Sequence, residues 1–362
     1  MKSIEHLFCR AAAEMTPYSP IEPPDQIAKR LKLDVADIVK LDANENPFGI
    51  SPEVLKALAE EPFFHIYPDP AQVQLREAIA EYAGVDPEII VAGTGADELI
   101  DLCCRLLIEP GDSVLTFTPT FSYYAHVVAL NRAKYVTVAR EPDYSISLEK
   151  VKKIDLEKCK LVILCSPNNP SGNLLEEPVL EYFLSQDLIV MVDEAYYEFS
   201  DMTYKNKIGA HNNLIILRTF SKCFALAGLR VGYGMGSRDL IKNLMKIKPP
   251  FSVNVAAEVA LKTCLKNLPS YQDQVKEIIN SRNWTIEKLN EFSSLEALPS
   301  HSNFILCKVK DHDAFMLCKE LERNGILVRY FATEQLRNYI RITAGRMDQM
   351  KLLVKQLERI LR

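Results

Sequence analysis

The sequence predicts an α/β protein, a large unit with a mostly parallel sheet covered by helices plus a smaller α+β unit. Two observations lead there. Short β-branched runs alternate with amphipathic stretches between residues 71 and 234, the pattern of a sheet whose strands are joined by crossover helices. A proline step, Pro249-Pro250, then ends the alternation, and long helical patterns follow.

Strands are expected at 89–92, 113–117, 135–138, 161–165, 188–192, 214–217 and 230–234, each a brief apolar run. Helical spacing of apolar residues marks 71–82, 97–107, 121–131 and 177–184 between them. Beyond the proline step, helices are expected at 255–266 and 271–291, strands at 302–309, 326–329 and 339–343, and a last amphipathic helix at 347–361. The division that follows is 42–249 for the large unit. Residues 1–41, with a helical pattern at 24–31, join 250–362 in the small one.

Composition excludes several function classes. With 362 residues, 48% hydrophobic and 25% charged, the chain can bury a large core and needs neither disulfides nor a metal to fold. Its net charge of −5 argues against binding nucleic acid through bulk electrostatics. No apolar run approaches the ~18 residues that span a bilayer, so no membrane partner is expected. Glu5, Arg10 and Glu14 interrupt the N-terminus where a signal peptide stays apolar. Nine cysteines without CxxC or Cys/His spacing read as reduced thiols of a cytoplasmic protein, with no zinc site.

Four segments at expected strand ends carry chemistry, and in an open α/β sheet ligands gather at the strands' carboxyl ends. Arg218-Thr219-Phe220-Ser221-Lys222 places a lysine there, with Arg230 eight residues on. A buried lysine loses basicity and its neutral amine can attack a carbonyl, while a hydroxyl and a guanidinium suit a phosphate. Asp193 directly follows an apolar strand, where a carboxylate can keep a ring nitrogen protonated, and Tyr196 stands three residues on. Ser166-Pro167-Asn168-Asn169-Pro170-Ser171-Gly172 makes a rigid turn presenting the Asn169 amide. Gly93-Thr94-Gly95-Ala96-Asp97 between strand and helix lets backbone N–H groups approach an anion. It lacks the dinucleotide and P-loop patterns, and the Asp97 side chain would have to turn away from a phosphate, as a helix cap for example. Each segment alone has a plainer reading: a solvated lysine, a capping aspartate, an ordinary turn. Together they supply what pyridoxal phosphate needs: a lysine to bond its aldehyde, an acid for its ring nitrogen and a phosphate clamp.

At this point the chain resembles the fold-type-I pyridoxal-phosphate enzymes, and within them the class II histidinol-phosphate aminotransferase family. The resemblance runs nearly end to end through LDANENPFG at 41–49, YPDP at 67–70, GTGADELIDL at 93–102, SPNNPSG at 166–172, VDEAYYEFS at 192–200, RTFSKCFALAGLRVGYG at 218–234, SNFILC at 302–307 and YIRITAG at 339–345. It implies roles residue by residue. Lys222 would bond the cofactor and carry the proton between substrate and cofactor carbons, and Asp193 would pair with the ring nitrogen. Asn169 and Tyr196 would hydrogen-bond the ring oxygen, and Phe121 would stack on the ring. Gly95, Ala96, Asp97, Ser221 and Arg230 would cradle the phosphate, with Tyr67 reaching the phosphate of a neighbouring subunit in a homodimer. Tyr18, Asn44, Arg329 and Arg341 would bind substrate. The implied reaction is ping-pong transamination between L-histidinol phosphate or imidazole-acetol phosphate and glutamate or 2-oxoglutarate, a step of histidine biosynthesis. The alternatives are a threonine-phosphate-type decarboxylase or a broad aromatic aminotransferase on the same fold. An effector-binding domain of a regulator would need a fused DNA-binding unit, for which this length leaves no room.

Overall fold

The computed structural model describes residues 4–15 and 22–361. Its strands are β1 (Val39–Leu41), β2 (Ile90–Gly93), β3 (Ser113–Thr118), β4 (Lys134–Ala139), β5 (Cys159–Cys165), β6 (Ile189–Asp193), β7 (Leu214–Thr219), β8 (Gly232–Gly236), β9 (Leu295–Ala297), β10 (Phe304–Val309), β11 (Ile326–Tyr330) and β12 (Tyr339–Thr343). They form a seven-stranded sheet in the order β2-β8-β7-β6-β5-β3-β4 and a five-stranded sheet in the order β1-β11-β12-β10-β9.

Side-chain alternation explains why the large sheet is covered on both faces. Val162 and Leu164 of β5, Val190 and Val192 of β6, and Leu214 and Ile216 of β7 enter one core. Their neighbours Leu161, Ile163, Met191, Ile215 and Leu217 enter the core on the opposite face. Successive strand residues point to opposite sides, so near-continuous apolar runs fill two layers at once. Helices Gly95–Leu107, Tyr123–Leu130 and Arg238–Ile247 close one face through Leu99, Ile100, Val127, Ile241 and Leu244. Helices Val73–Ala83, Glu177–Leu184 and Val255–Lys266 close the other.

Strands β3 to β7 pair in parallel. Strand β8 runs antiparallel to both neighbours, β7 and β2. The chain passes from β7 to β8 through residues 220–231 with only a short 3-10 turn and no α-helix, so it returns on the edge it left instead of crossing the sheet. That return loop holds Lys222 and Arg230. The expected elements recur with ends shifted by a few residues. Helices Pro52–Glu60, Arg238–Ile247 and Ala314–Arg323 and strands β1 and β9 are additional to them.

In the second sheet, β1 lies parallel to β11, and β11, β12, β10 and β9 alternate in direction. Helices Ala314–Arg323 and Met347–Ile360 cover it through Leu317, Leu321, Leu353 and Leu357. Helix Pro24–Leu31 is tied to this unit by Arg30, whose guanidinium is 2.7 Å from Glu322. Residues past the proline step still pack on the large sheet: Ala257, Leu261, Tyr271 and Ile278 belong to its core, whereas Leu289 belongs to the small one. We propose a two-domain division that follows the sheets, with the change of core inside helix Leu268–Leu289 rather than at Pro249.

Gly232 opens β8 against the start of helix Gly95–Leu107. A Cβ there would lie 2.6 Å from the Ala96 nitrogen and 2.8 Å from the Arg218 carbonyl oxygen, both backbone atoms that cannot swing aside. Gly232→Ala is expected to destabilise the protein by about 1–3 kcal/mol, the usual cost of overpacking, measured by denaturant unfolding against wild type.

Candidate active site

Because β2, β3, β5, β6 and β7 share a direction, their carboxyl ends lie along one edge, and antiparallel β8 begins there. A cavity of about 640 Å³ opens at that edge, within the range of small-molecule sites. It is lined by Lys222, Asp193, Asn169, Tyr196, Phe121, Ser221, Arg230, Ala96 and Asp97 from the large sheet's edge. Asn44, Arg329 and Arg341 come to it from strands of the small sheet and the segment after β1.

Lys222 follows β7 by three residues. The aromatic rings of Phe220 and Phe224, both fully buried, anchor the turn on either side of it, and the Thr219 hydroxyl accepts the Ser221 N–H at 3.2 Å. The Lys222 amine is half-buried, 3.3 Å from the Ala43 carbonyl oxygen and 5.9 Å from the Tyr196 ring centre. Burial first, and the nearby Arg341 cation second, push it down from 10.5 to about 8. Glu45 and Asp97 pull weakly the other way.

Asp193, at the last position of β6, is buried. Its Oδ2 accepts the Tyr124 hydroxyl at 2.5 Å and its Oδ1 accepts the Ala195 N–H at 3.0 Å. Burial nonetheless lifts this carboxyl to about 6. A cation placed in the cavity against Asp193 would restore the charged form.

Asn169, Tyr196, Asn44 and Arg341 form one lattice. The Tyr196 oxygen accepts the Asn44 amide at 3.0 Å and the Asn169 amide at 3.3 Å. Burial raises the Tyr196 phenol, so it remains a neutral group with its own proton to donate. Arg341 gives one N–H to Asn169 Oδ1 and another to the Asp42 carbonyl, both at 2.7 Å. Asn44 has φ +54° and is held by Thr343 Oγ1 on its N–H and the Asn303 amide on its carbonyl. Arg329 stands directly across from Arg341 in the β11–β12 register. Like charges opposite each other on a sheet repel, and an anion between them relieves that repulsion.

Helix Gly95–Leu107 begins with Gly95 at positive φ, and Ala96 and Asp97 of its first turn face the cavity. A Cβ on Gly95 would sit 2.6 Å from the Arg230 guanidinium, so the glycine lets that cation close on the helix N-terminus. Arg230 also contacts the Ala227 carbonyl at 3.0 Å and Ser221 Oγ at 3.4 Å. The Asp97 side chain does not turn away or cap the helix. It pairs with Arg230 at 3.0 Å, because the guanidinium takes the nearest carboxylate as counterion. An incoming phosphate offers the same guanidinium more charge and more acceptor oxygens.

The structure does not bring Tyr67 to this cavity. It is exposed and stacks on Phe251 at 4.5 Å. Tyr18 lies outside the described residues. Sequence reasoning missed Tyr124, Cys165 and Glu45, the last two of which line the cavity. Tyr124 was accessible only through its place three residues after Phe121, and no local signal marks its partner.

The family model for aminotransferase class I and II matches residues 36–357. The chain belongs to the aminotransferase class I and II family. Within this family, it is 44% identical to the chloroplastic histidinol-phosphate aminotransferase of Nicotiana plumbaginifolia, over 95% of this chain and 84% of that one. It is 41% identical to the histidinol-phosphate aminotransferase of Dehalococcoides mccartyi strain CBDB1, over 94% of each. Its fold matches the histidinol-phosphate aminotransferase of Sinorhizobium meliloti, crystallised with pyridoxal-5'-phosphate, with a TM-score of 0.88 at 27% identity over 98% and 97% of the two chains. The L-threonine-O-3-phosphate decarboxylase of Porphyromonas gingivalis is similar at a TM-score of 0.79 and 25% identity, over 90% of this chain and 99% of that one.

The lowered lysine yields a pH test. In this aminotransferase without cofactor, labelling of Lys222 by a small amine-directed reagent is expected to rise tenfold per pH unit and level off near pH 8, because above that point the amine is already neutral. An exposed lysine continues to gain reactivity toward 10.5. Competitive labelling with peptide mapping measures both, and a Lys222 curve that tracks the exposed lysines would contradict the desolvation.

Proposed function

We propose that the chain is a histidinol-phosphate aminotransferase dependent on pyridoxal phosphate, interconverting L-histidinol phosphate plus 2-oxoglutarate with imidazole-acetol phosphate plus glutamate. One observation carries this reading: a lysine amine lowered to about 8 and an aspartate raised to about 6 share one cavity with a guanidinium-built anion cradle. The residues fit the cofactor. Gly95 keeps the cradle open where a side chain would fill it, and Asp193 is a buried acid in need of a cationic partner. When bound, pyridoxal phosphate supplies an electron sink for the pair left as a bond to the substrate's α-carbon breaks.

The chain's residues then divide the work. Ser221, Arg230 and the backbone at Gly95, Ala96 and Asp97 hold the phosphate. Asp193 would keep a proton on the ring nitrogen, Asn169 and Tyr196 would bond the ring oxygen, and Phe121 would cover the ring face. Lys222 Nζ would hold the cofactor and, as a neutral amine, would move the proton of the substrate α-carbon, as base and then acid. Its value near 8 suits both roles near neutral pH. Arg341 and Arg329 would bind the substrate's phosphate or carboxylate, anions that a guanidinium fork grips in similar ways, and Asn44 lines the same cavity; a substrate role for Tyr18 rests on the family resemblance. The imidazole part of the assignment rests on the relatives, since nothing in the charge pattern selects that ring.

Two coarser features extend the proposal. The exposed Tyr67 beside Phe63, Phe64 and Ile66, all exposed, suits a homodimer in which Tyr67 reaches the partner's phosphate. A cytoplasmic location agrees with nine free cysteines, eight of them buried, and no helix among the described residues is long and apolar enough to cross a membrane.

Borohydride reduction of the holoenzyme should leave the pyridoxyl group on the peptide containing Lys222, and Lys222→Ala should lose about a thousandfold or more in rate. Wild-type rate in that variant would remove the assignment. Histidinol phosphate with 2-oxoglutarate should yield glutamate without CO2, whereas CO2 release would favour the decarboxylase. For the shared site, Tyr67→Phe should weaken cofactor binding measurably by equilibrium dialysis, and unchanged affinity would count against it.

A further inference from the structure

Tyr124 has no part in the reading above, yet its hydroxyl makes the shortest contact to the Asp193 carboxylate. It is fully buried on the first turn of helix Tyr123–Leu130, and its ring meets Phe121 edge-on at 5.5 Å between centres. One short segment thus carries both the aromatic cover of the cavity and the donor to Asp193. The Tyr124 bond on Oδ2 and the Ala195 N–H on Oδ1 hold the carboxylate by both oxygens, so it has no freedom to rotate. Beside the phenol lie the Cys165 thiol and the half-buried Arg140, whose guanidinium bonds the carbonyls of Phe117 at 3.2 Å and Tyr144 at 3.0 Å. Burial raises the Tyr124 phenol itself, so it stays a donor and does not ionise.

We propose that Tyr124 is a positioning residue for the cofactor: through its hydrogen bond to Asp193 Oδ2 it keeps that carboxylate anionic and fixed toward the cavity, and so sets how firmly the ring nitrogen holds its proton. The inference rests on the function proposed above, since it takes Asp193 as the partner of a ring nitrogen. Burial drives Asp193 toward the neutral acid, and the Tyr124 hydrogen bond is the largest influence against it, followed by the Ala195 N–H. Asp97 from helix Gly95–Leu107 and the adjacent Glu194 oppose it by repulsion. Cys165 of β5 and Tyr196 also face the carboxylate, both neutral because burial raises them. A phenylalanine would fill the same space, so the oxygen is what this position adds.

The test uses the holoenzyme of Tyr124→Phe. Loss of the donor raises Asp193, so the acidic limb of the kcat/KM profile moves to higher pH. The cofactor dissociation constant rises about tenfold, as expected for losing a hydrogen bond to a charged group. NMR of ring-nitrogen-labelled pyridoxal phosphate reports a less protonated nitrogen. Incorporating fluorotyrosine at position 124, a stronger donor of nearly the same shape, moves the acidic limb the opposite way, a reversal that altered packing does not produce. Tyr124→Phe with wild-type pH profile, cofactor affinity and nitrogen signal, and an unchanged apoprotein melting temperature, would overturn the proposal while leaving the transaminase reading intact. A wild-type protein that takes up no cofactor would overturn both.

Discussion

One ion pair almost without water around it holds the sheet's carboxyl edge in register. Arg218 and Glu194 meet at 2.8 Å with side chains 1% and 0% exposed. Glu194 is the residue after Asp193, and Arg218 is four residues before Lys222, so the pair joins the end of β6 to the end of β7 between the two groups the chemistry needs. A buried pair is costly unless its remaining donors and acceptors are satisfied. Here they are: Arg218 also reaches Thr203 Oγ1 at 2.5 Å and Tyr233 Oη at 3.2 Å and stacks on Tyr197 at 3.4 Å. Glu194 takes the Thr203 hydroxyl at 2.9 Å and the Tyr204 N–H at 2.8 Å. Leaving either ion alone in that environment costs about 3–5 kcal/mol, about a fifth or more of the stability of a typical domain. The edge carrying Asp193 and Lys222 therefore cannot slip without exposing an unpaired buried charge.

That rigidity explains which parts of the site were legible in the sequence. Asp193, Asn169 and Lys222 could be read because each lies at or just past the end of an apolar strand, and parallel strands deliver their ends to one edge whatever the order of pairing. Helices Glu177–Leu184 and Val255–Lys266 have the bounds their apolar spacing implies. The antiparallel sense of β8 could not be read, since a β pattern carries no direction and only the absent crossover helix hints at it. Strand β1 is three residues long and acquires its identity from β11, nearly three hundred residues away. Asn44, Arg329 and Arg341 came from family resemblance alone, because their meeting with Asn169 and Tyr196 depends on how two sheets face each other. The Tyr124 partnership with Asp193 is tertiary in the same way. The pairing of Asp97 with Arg230 could not be read for a simpler reason: the two residues are 133 positions apart, and no local pattern links them.

The site's pairs fall into two groups by burial, and the division matches what each must do. Arg218 with Glu194, and Asp193 with Tyr124, are buried contacts of fixed geometry, too costly to break during turnover. Arg230 with Asp97 is different: its side chains are 41% and 44% exposed, and an exposed pair is worth only about 0–1 kcal/mol. A dianionic phosphate with helix N–H donors behind it outbids a single solvated carboxylate by more than that. Arg341 gives N–H groups to the Asn169 amide oxygen and the Asp42 carbonyl, each at 2.7 Å, and these contacts fix its guanidinium at the cavity wall. The cross-strand Arg329 keeps the local potential positive. The buried contacts thus fix position at the sheet edge, while the one pair beside the helix start is exposed and easily exchanged. The same low-dielectric pocket that lowers Lys222 and lifts Asp193 makes each of those arriving charges count for more than it would in water.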